Sequence, residues 1–543
     1  MTATKEQPTI DNRSIRKQRH IIRRIVIRGT LILDTPTCLA SGDADSPTDL
    51  PLLRDSISDH ALLTGSSIAG ALRNYLQERE HGYLTDEKSD NLATVLFGGT
   101  RKDDDGEQSN LIIDDVISTQ PIQSELRDGV KIDSITRTAE DKKKYDLELL
   151  QAGTEFSLCF ELLIEKDSNE TELRKGLAIA LSGLQNHEIS LGMKKRRGFG
   201  RCHVKEWQVW NFDLTDAGDR TAWLLFDREC TNKQPVITNK ITDALGVVLD
   251  EKEDQRDRFT INATFTLASP LLIRSGQAET GRAPDVVHLK SYRIINQQIK
   301  WLFDRAIQIL GELPSEIDLW SSENWELFFF AHNLLKAKVL TSVLSGTSLA
   351  GVLRHRAERI AKTLQCSFGQ NPKCDKEPEI IKSIFGHVEN KRSQASRLIV
   401  HESTINHTTD LVQTRIAIDR FTGGAYHGAL FQEQPIFANH KTELKLEIEL
   451  RNPIEHEIGL LLLLLKDLWT EDLPVGGSSS IGRGRLKGKQ ATIKWKDSTW
   501  EIKQNRDNSL EITPESDKEK LRNYVSELVK YIKDNNNNEP SNS

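Results

Sequence analysis

An internal duplication is the feature that most constrains how this chain folds. Five short blocks of the first half recur in the second half, in the same order and at nearly constant spacings of 281 to 288 residues. Repeats of roughly 190–240 residues are far longer than solenoid units, so each copy is expected to be a complete domain. The matching blocks are Gly65–Arg73 with Gly346–Arg354, Leu96–Gly98 with Ile384–Gly386, Ser109–Ile113 with Ser396–Val400, Ile132–Ala139 with Ile418–Ala425, and Gly198–Arg201 with Gly482–Arg485.

The spacing of the blocks also predicts the domain boundaries. A further match, Leu31–Pro36 with Phe265–Pro270, is separated by only 234 residues, so the second copy carries an insertion before its first helix. After Pro514, apolar residues at helical spacing predict a tail helix that docks either on its own domain or on a partner. The predicted segments are a flexible N-terminus (1–19), the first domain (20–212), a linker (213–258), the second domain (259–500) with an insertion at about 290–338, and a tail (501–543) with one amphipathic helix and a disordered end.

The order of elements within each copy predicts the fold class. Ile25–Leu33 has the alternation of a strand, and a helix follows from the Gly-Ser-Ser or Gly-Thr-Ser step. Two strands, a second helix, a glycine-rich loop and a last strand come next. This βαββαβ order is that of the ferredoxin-like fold. We therefore expect an α+β protein of two tandem ferredoxin-like (RRM-like) domains with long insertions.

Charge and cysteine content exclude several classes of protein. Lys and Arg total 73 against 80 Asp and Glu, a net charge of −7, which argues against a globally basic nucleic-acid binder but allows local basic surfaces. Six cysteines lie far apart with no C-x-x-C pair, as expected in a reducing compartment. The longest apolar run, Ile458–Leu465, is far shorter than the ~20 residues that cross a membrane. We expect a cytoplasmic protein with no membrane partner.

Two basic loops and two helix starts are candidate phosphate-binding elements. The loops read KKRRGFGR and GRGRLKGK, and their Lys and Arg residues can hold RNA phosphates without reading sequence. The helix starts offer unpaired N–H groups and the positive end of the helix dipole, although ordinary N-capping explains the same residues. The candidate RNA-binding residues are Gly65, Ser66, Ser67, Arg73, Lys194, Lys195, Arg196, Arg197, Arg201, Gly346, Thr347, Ser348, Arg354, Arg483, Arg485 and Lys487.

The ordered blocks resemble those of the RAMP superfamily of CRISPR-associated proteins. The shared pattern is G-[ST]-S-[IL]-x-G-x-L-R, then F-G, then I-D-x-x-T-x-x-A, then a glycine-rich loop, and it occurs twice. Each half resembles the repeated backbone subunit of type III effector complexes, and the fused pair resembles the tandem backbone protein of a type III-D-like system. The resemblance implies binding to a CRISPR guide RNA (crRNA) and to complementary target RNA, beside other type III subunits in a filament-like complex.

The resemblance also implies which segments act on RNA. Segments 123–150 and 405–432 match the family's thumb hairpin, which displaces one base at regular steps. The loop after the first strand is implied to act as an endoribonuclease on target RNA, with Asp49 as the best match, Asp285 as its counterpart and Asp45 as the runner-up. An aspartate assists 2′-OH attack by accepting the proton or by holding a divalent ion, here Mg²⁺ or Mn²⁺. Without the resemblance, a loop aspartate is more often a solvated turn former.

A zinc site and other functions stay open at this stage. The weak zinc candidates are Cys366, Cys374, His355 and His387. One alternative function is a non-catalytic crRNA-binding scaffold of the same kind of complex. Another is a crRNA-processing endonuclease, which needs a catalytic histidine near the N-terminus and finds only His20 and His60 there, neither in a motif. A third is a protein–protein adaptor, which salt-dependent RNA binding would exclude.

Overall fold

The computed structural model describes most of both repeats. The described residues are 19–42, 49–85, 91–99, 108–133, 136, 138–226, 233–274, 284–294, 338–367, 377–389, 392–505 and 509–537. The expectations for residues 1–18, for residues 538–543, for insertion residues 295–337, and for Asp45 and Cys374 lie outside these ranges.

The first repeat folds into one antiparallel sheet with helices packed on one face. Its elements are β1 (Ile21–Leu33), β2 (His60–Leu63), α1 (Gly65–His81), α2 (Leu92–Phe97), β3 (Leu111–Ile113), β4 (Val116–Pro121), β5 (Ser124–Ile132), β6 (Ala139–Leu150), β7 (Glu155–Glu165), α3 (Glu170–Gln185) and β8 (Cys202–Asp213). Strand β1 lies between β7 and β8, and both β3 and β4 pair with β7. This order, β8–β1–β7 followed by β3 and β4, is that of a ferredoxin-like sheet and confirms the predicted fold class.

The segment between the repeats, expected to be a linker, is folded against the first sheet. It contains α4 (Ala217–Leu224), β9 (Val236–Thr238) and α5 (Ile241–Leu245). Strand β9 extends the sheet by pairing with β8, and α5 packs on α3. The rings of Trp223 and Phe226 lie 5.4 Å and 5.2 Å from the ring of Phe212, so they cover the face of β8 that the main helices leave open. This part of the chain therefore completes the first domain.

The second repeat reproduces the same topology. Its elements are β10 (Arg258–Leu267), β11 (Val286–Val287), β12 (Lys290–Ile294), β13 (Lys338–Leu344), α6 (Gly346–Ser367), α7 (Glu379–Phe385), β14 (His387–Glu389), β15 (Arg392–Gln394), β16 (Leu398–Val400), β17 (Ser403–Asp410), β18 (Gln413–Ile418), β19 (Ala425–Gln434), β20 (Ile436–Arg451), α8 (Glu455–Trp469) and β21 (Leu486–Trp495). Here β10 lies between β20 and β21, and both β16 and β17 pair with β20. The two sheets therefore have equivalent strands in equivalent places, as the duplication predicts. The insertion leaves after β12 and returns at β13, and these strands pair with each other.

The tail packs on the second domain. Strands β22 (Ser498–Gln504) and β23 (Leu510–Thr513) extend the second sheet, and helix α9 (Lys518–Asn537) lies against α8. Leu521, Tyr524, Leu528 and Ile532 of α9 are buried in the second core, at the helical spacing seen in the sequence. Of the two positions left open for this helix, the structure places it on its own domain. Among the described helices, none is both long enough and apolar enough to cross a bilayer.

Candidate nucleic-acid interface

The two domains meet through the first glycine-containing basic loop. Within this loop, a 3-10 turn at Lys195–Arg197 lies against β16 and the start of α6 in the second domain. A Cβ atom on Gly346 would lie 2.3 Å from the carbonyl oxygen of Arg197, and one on Gly198 would lie 2.2 Å from the backbone nitrogen of Glu402. Both glycines are therefore required because the two backbones approach too closely for a side chain.

A buried ion-pair network also links the domains. The carboxylate of Glu402, whose side chain is fully buried, pairs with Arg127 of the first domain and with Arg293 of the second. Arg127 also pairs with Glu125 at 2.7 Å, and the Ser291 hydroxyl donates to Glu125 at 3.0 Å. Burial alone would lower the pKa of Arg127, but the charges of Glu402 and Glu125 outweigh it and raise that pKa. The contact therefore depends on these opposite charges staying together.

A cleft of about 880 Å³ opens beside this contact, between the two domains. Its walls come from α1, the first basic loop, β10 and β20, and they carry eight basic residues against four acidic ones. The basic residues are Lys194, Lys195, Arg196, Arg197, Arg201, Arg256, Arg258 and Arg451, and the acidic ones are Glu78, Glu188, Glu447 and Glu449. A concave surface with excess positive charge attracts a polyanion such as RNA.

The cations of the first loop are only partly compensated by protein groups. Burial lowers the pKa of Lys195, Arg196 and Arg197, and neighbouring positive charges, Arg451 and Arg354 among them, lower it further. The Nη1 atom of Arg197 is buried and has no hydrogen-bond partner among the described residues. An anion in the cleft would relieve both the repulsion and the missing hydrogen bond, because buried guanidinium groups are stable only when paired.

The helix starts are already capped by the protein. In the first domain the Thr64 hydroxyl caps α1 by accepting from the Ser67 N–H at 3.3 Å, and the Asp115 carboxylate accepts from the Gly65 N–H at 2.6 Å. In the second domain the Ser345 hydroxyl accepts from the Thr347 N–H at 3.2 Å. The capping side chains are therefore Thr64 and Ser345, which precede the Gly-Ser-Ser and Gly-Thr-Ser steps. Ser66 and Ser67 are exposed, whereas Ser348 is half-buried beside the first basic loop.

The arginines of the two helix motifs bind protein groups. Arg73 donates to the carbonyl oxygens of Gly98 and Gly99, at 3.2 Å and 3.4 Å, and so joins two of the repeated sequence blocks. Arg354 makes a bidentate pair with Glu377, at 2.8 Å and 2.7 Å. The first contact holds the end of α2 and the second holds the residues just before α7, so the repeated arginine has a structural role in both domains.

The second basic loop has the same backbone as the first but a different position. Gly484 and Gly200 adopt left-handed φ angles of 80° and 77°, and a Cβ atom at either would lie within 2 Å of a carbonyl oxygen, so the glycines serve a tight conformation. Arg483 is 3% exposed and pairs with Glu433 at 2.8 Å, which removes it from the residues that reach RNA directly. Arg485 and Lys487 are exposed, and none of this loop's residues lines the cleft.

Asp49 and Asp285 occupy the same place in their domains. The Asp49 carboxylate accepts from the N–H of Asp146 at 2.9 Å, and the Asp285 carboxylate accepts from the N–H of Gln432 at 2.7 Å. In each domain the residue after the aspartate forms a parallel β-bridge with the hairpin strand. Leu50 pairs with Leu147 in the first domain, and Val286 pairs with Glu433 in the second. Both aspartates are exposed or half-exposed at the root of the hairpin matched to the thumb. The pairing made from the sequence therefore has a structural counterpart.

The surroundings of the two aspartates differ in charge. Opposite each other on β5 and β6, Asp128 and Asp146 lie beside Asp49. Burial raises the pKa of Asp146, and the charges of Asp128 and Asp49 raise it further. One oxygen of Asp146 is buried without a hydrogen-bond partner among the described residues. Lys144 partly neutralises this acidic pair, at 3.0 Å from Asp128 and 3.9 Å from Asp146. The matching residues near Asp285 are the neutral pair Thr414 and Gln432.

The I-D-x-x-T motif caps the tips of both hairpins. At the tip of β5–β6, the Asp133 carboxylate accepts from the N–H of Thr136 at 2.6 Å. At the tip of β18–β19, the Asp419 carboxylate accepts from the N–H groups of Phe421 and Thr422, each at 2.8 Å. An aspartate that accepts from N–H groups two or three residues ahead stabilises a turn. Phe421 is almost fully exposed there, at 98%.

The zinc candidates among the described residues, Cys366, His355 and His387, do not form a three-ligand metal site. His288 is buried, accepts from the Ile273 N–H at 3.1 Å, and has a pKa lowered by burial to about 4, so it acts as a neutral structural residue. Cys366 is exposed. Only one group of three potential metal ligands converges among the described residues, and it contains neither Cys366 nor His355 nor His387.

Sequence reasoning missed most of the residues that build the cleft. Arg256, Arg258 and Arg451 were absent from the candidates because each is an isolated basic residue on a strand or in a charged linker. The Glu402–Arg127 pair joins residues 275 positions apart. The duplication itself carried one usable signal, because Glu402 and Asp115 are equivalent acidic positions in the two repeats.

The comparisons with known proteins point to one family. A model of the RAMP superfamily matches residues 30–203 and residues 333–487, which together make up more than half of the chain. The two matched regions fall one in each ferredoxin-like repeat, and the second begins after β12. No curated protein matches the chain.

Proposed function

Because the chain belongs to the RAMP superfamily of CRISPR-associated RNA-binding proteins, we propose that it is a backbone subunit of a type III RNA-guided effector complex. It binds crRNA along the phosphates and cleaves complementary target RNA as a cytoplasmic endoribonuclease. Its partners are crRNA, target RNA and other subunits of the complex. The observation that carries the proposal is the positively charged cleft between the two repeats. Arg201, Arg256 and Arg451 pair with protein carboxylates. RNA phosphates supply counter-charges for Lys195, Arg196 and Arg197 of the first basic loop.

The contact between the two repeats supports assembly into a filament. It is head-to-tail, because the basic loop of the first domain meets the helix start of the second. In a head-to-tail contact the two domains use different surfaces, so one unused surface remains at each end of the pair. Further subunits can bind there through the same contact. Asp115 of the first domain, equivalent to the buried Glu402, is exposed and so is available to an arginine of a preceding subunit. The basic loop of the second domain likewise leaves Arg485 and Lys487 exposed for a following one.

Cleavage is assigned to Asp49 in the first domain and to Asp285 in the second. Both carboxylates stand at the root of the thumb hairpin, where the resemblance puts the displaced nucleotide. The carboxylate accepts the proton of the 2′-OH, and the resulting oxygen attacks the adjacent phosphorus. The P–O5′ bond breaks, which leaves a 2′,3′-cyclic phosphate on one product and a 5′-hydroxyl, protonated by water, on the other. One oxygen of each aspartate accepts from the N–H of Asp146 or Gln432, and the other oxygen points outward.

The oxygen ligands beside Asp49 suit a hard divalent cation. Asp49, Asp128 and Asp146 do not converge as they stand, and Lys144 lies 3.0 Å from Asp128 and 3.9 Å from Asp146. A Mg²⁺ or Mn²⁺ ion, which prefers carboxylates, would draw the three together by displacing Lys144. The ion would lower the pKa of the attacking hydroxyl and stabilise charge on the phosphate. Around Asp285 the equivalent ligands are the neutral Thr414 and Gln432, so the second site depends less on carboxylate binding of the ion.

The cleavage proposal is tested in the reconstituted complex with end-labelled target RNA. Asp49→Asn and Asp285→Asn are each expected to remove a subset of the regularly spaced cuts, and the double variant to remove both subsets. Asp497→Asn, in an exposed turn far from both aspartates, is the matched control and is expected to leave the ladder intact. If both site variants leave every cut in place, the alternative of a non-catalytic crRNA-binding scaffold replaces the nuclease.

The RNA-binding proposal is tested separately by salt dependence. Each phosphate contact to a single strand contributes about −0.7 to the slope of log affinity against log salt concentration. Lys195→Ala, which removes one cation of the cleft, is expected to reduce the slope by about that amount, whereas Lys503→Ala, on β22, is expected to leave it unchanged. If binding of crRNA changes neither with salt concentration nor with Lys195→Ala, the protein–protein adaptor would be favoured.

A further inference from the structure

Asp34, His187 and His203 form a cluster in the first domain that the proposed function does not use. Asp34 follows β1, His187 follows α3 in a left-handed conformation with φ 59°, and His203 lies near the start of β8. The backbone N–H of Asp34 donates to the carbonyl of Arg201 at 2.8 Å. Three separate elements therefore bring these side chains to one point, which we call the His–Asp cluster.

The ligand atoms of the His–Asp cluster converge. The Nδ1 atom of His187 lies 2.8 Å from one oxygen of Asp34, and the Nδ1 atom of His203 lies 2.8 Å from the other. The two imidazole rings are 4.5 Å apart and inclined by 34°, and all three ligand atoms lie within 4.8 Å of one another. An ion bound at about 2.0–2.2 Å from each atom fits this spacing with small side-chain movements.

The donor set selects a class of metal. Two imidazole nitrogens and one carboxylate oxygen suit Zn²⁺ and neighbouring transition metals better than Mg²⁺ or Ca²⁺, which prefer oxygen alone. Burial alone would raise the pKa of Asp34, but the hydrogen bonds from His187 and His203 lower it to about 2. The side chain of His187 is 45% exposed, which leaves a path for the ion and room for a fourth ligand.

The duplication provides an independent comparison. The equivalent positions of the second domain hold Ala268, Glu471 and Lys487, whose backbones match those of the first domain. Glu471 even keeps the left-handed conformation of His187, with φ 68°. All three ligands are thus replaced together while the fold is unchanged, so the fold by itself does not require the cluster.

We propose that Asp34, His187 and His203 bind one transition-metal ion of the Zn²⁺ class, in the first domain only. The bound ion ties the end of β1, from which the loop bearing Asp49 leaves, to the strand that follows the first basic loop. Because His187 lines the cleft beside Arg201, the ion lies at the edge of the RNA-binding surface. This site is separate from the carboxylates assigned to cleavage and does not depend on that assignment.

The test uses the full-length chain after treatment with a chelator. Zn²⁺ is added back and counted per chain by elemental analysis, and Co²⁺ reports the ligand geometry through its visible absorption. His187→Ala and His203→Ala are expected to lose one bound ion relative to wild type. His60→Ala, a half-buried histidine of the same domain whose Nδ1 contacts the Ser118 carbonyl, is the matched control and is expected to keep it.

Two further arms make the outcome decisive. All variants are also prepared with Cys366→Ser and Cys374→Ser, so that zinc held by those cysteines is not counted. Zn²⁺ is expected to raise the Tm of wild type but not of His187→Ala, which should fold because this side chain is nearly half exposed. If the double variant His187→Ala/His203→Ala binds as much Zn²⁺ as wild type, or if wild type binds none, the proposal fails and the cluster is only a hydrogen-bonded trio.

Discussion

Replacing Glu402 by Gln is expected to destabilise the contact between the domains strongly. The Glu402 side chain is fully buried, and its two partners, Arg127 and Arg293, are only 5% and 13% exposed. The substitution removes the negative charge, so Arg293 loses its buried counter-charge and Arg127 keeps only Glu125 as a partner. Breaking a buried pair in this way costs about 3–5 kcal/mol. For domains of this size that corresponds to a decrease in Tm of roughly 6–20 °C.

Thermal unfolding of the full-length protein measures this effect directly. The matched control is Glu501→Gln, which breaks an exposed pair with Lys503 whose side chains are 50% and 56% exposed. An exposed pair contributes less than about 1 kcal/mol, so the control is expected to unfold close to wild type. Equal Tm values for the two variants would refute the inference that the buried network holds the domains together.

The pH dependence provides a second check on Glu402. Burial alone would raise its pKa, but Arg127 and Arg293 outweigh burial and hold the pKa below the usual 4.5. A lowered carboxyl pKa contributes stability that is fully present above the unfolded-state pKa and is lost as the pH falls through the folded-state pKa. Wild type is therefore expected to lose this contribution only below about pH 4, and Glu402→Gln to lack it at every pH.

Three further substitutions test the packing of the second domain. Gly346→Ala would put a Cβ atom 2.3 Å from a backbone oxygen of the first domain, so the free energy of unfolding should fall by roughly 1–3 kcal/mol in a thermal unfolding experiment. The control Gly351→Ala, whose Cβ meets open space, should unfold like wild type. Arg483→Ala leaves the buried Glu433 with only the partly exposed Arg415 as its partner and should cost about 1–3 kcal/mol. The exposed Arg485→Ala should keep the Tm and weaken only RNA binding. Leu528→Ala, at a fully buried position of the tail helix, should cost about 2–5 kcal/mol in urea unfolding; no loss would mean that the tail is undocked in solution.

Much of the fold could be predicted because its signals are local and occur twice. The alternation in β1, the two helix starts and the order of the blocks predicted the ferredoxin-like topology that the structure confirms. The repeated I-D-x-x-T block is explained by Asp133 and Asp419, whose carboxylates cap a turn within three residues of themselves. The family resemblance and the spacing of the repeats paired Asp49 with Asp285, and the two carboxylates make the same backbone contact. In each case the physical cause acts over a few residues.

The contents of the candidate site could be predicted only in part, because they depend on contacts between distant residues. Arg483 and Arg197 belong to similar basic loops, yet one is buried against Glu433 and the other lies at the cleft between the domains. The sequence by itself determined that there are two domains of one fold, because repeated short-range patterns specify strands, helices and turns. Only the tertiary structure decided which cations face the cleft and which are neutralised inside, because that depends on where chain segments far apart in sequence come together.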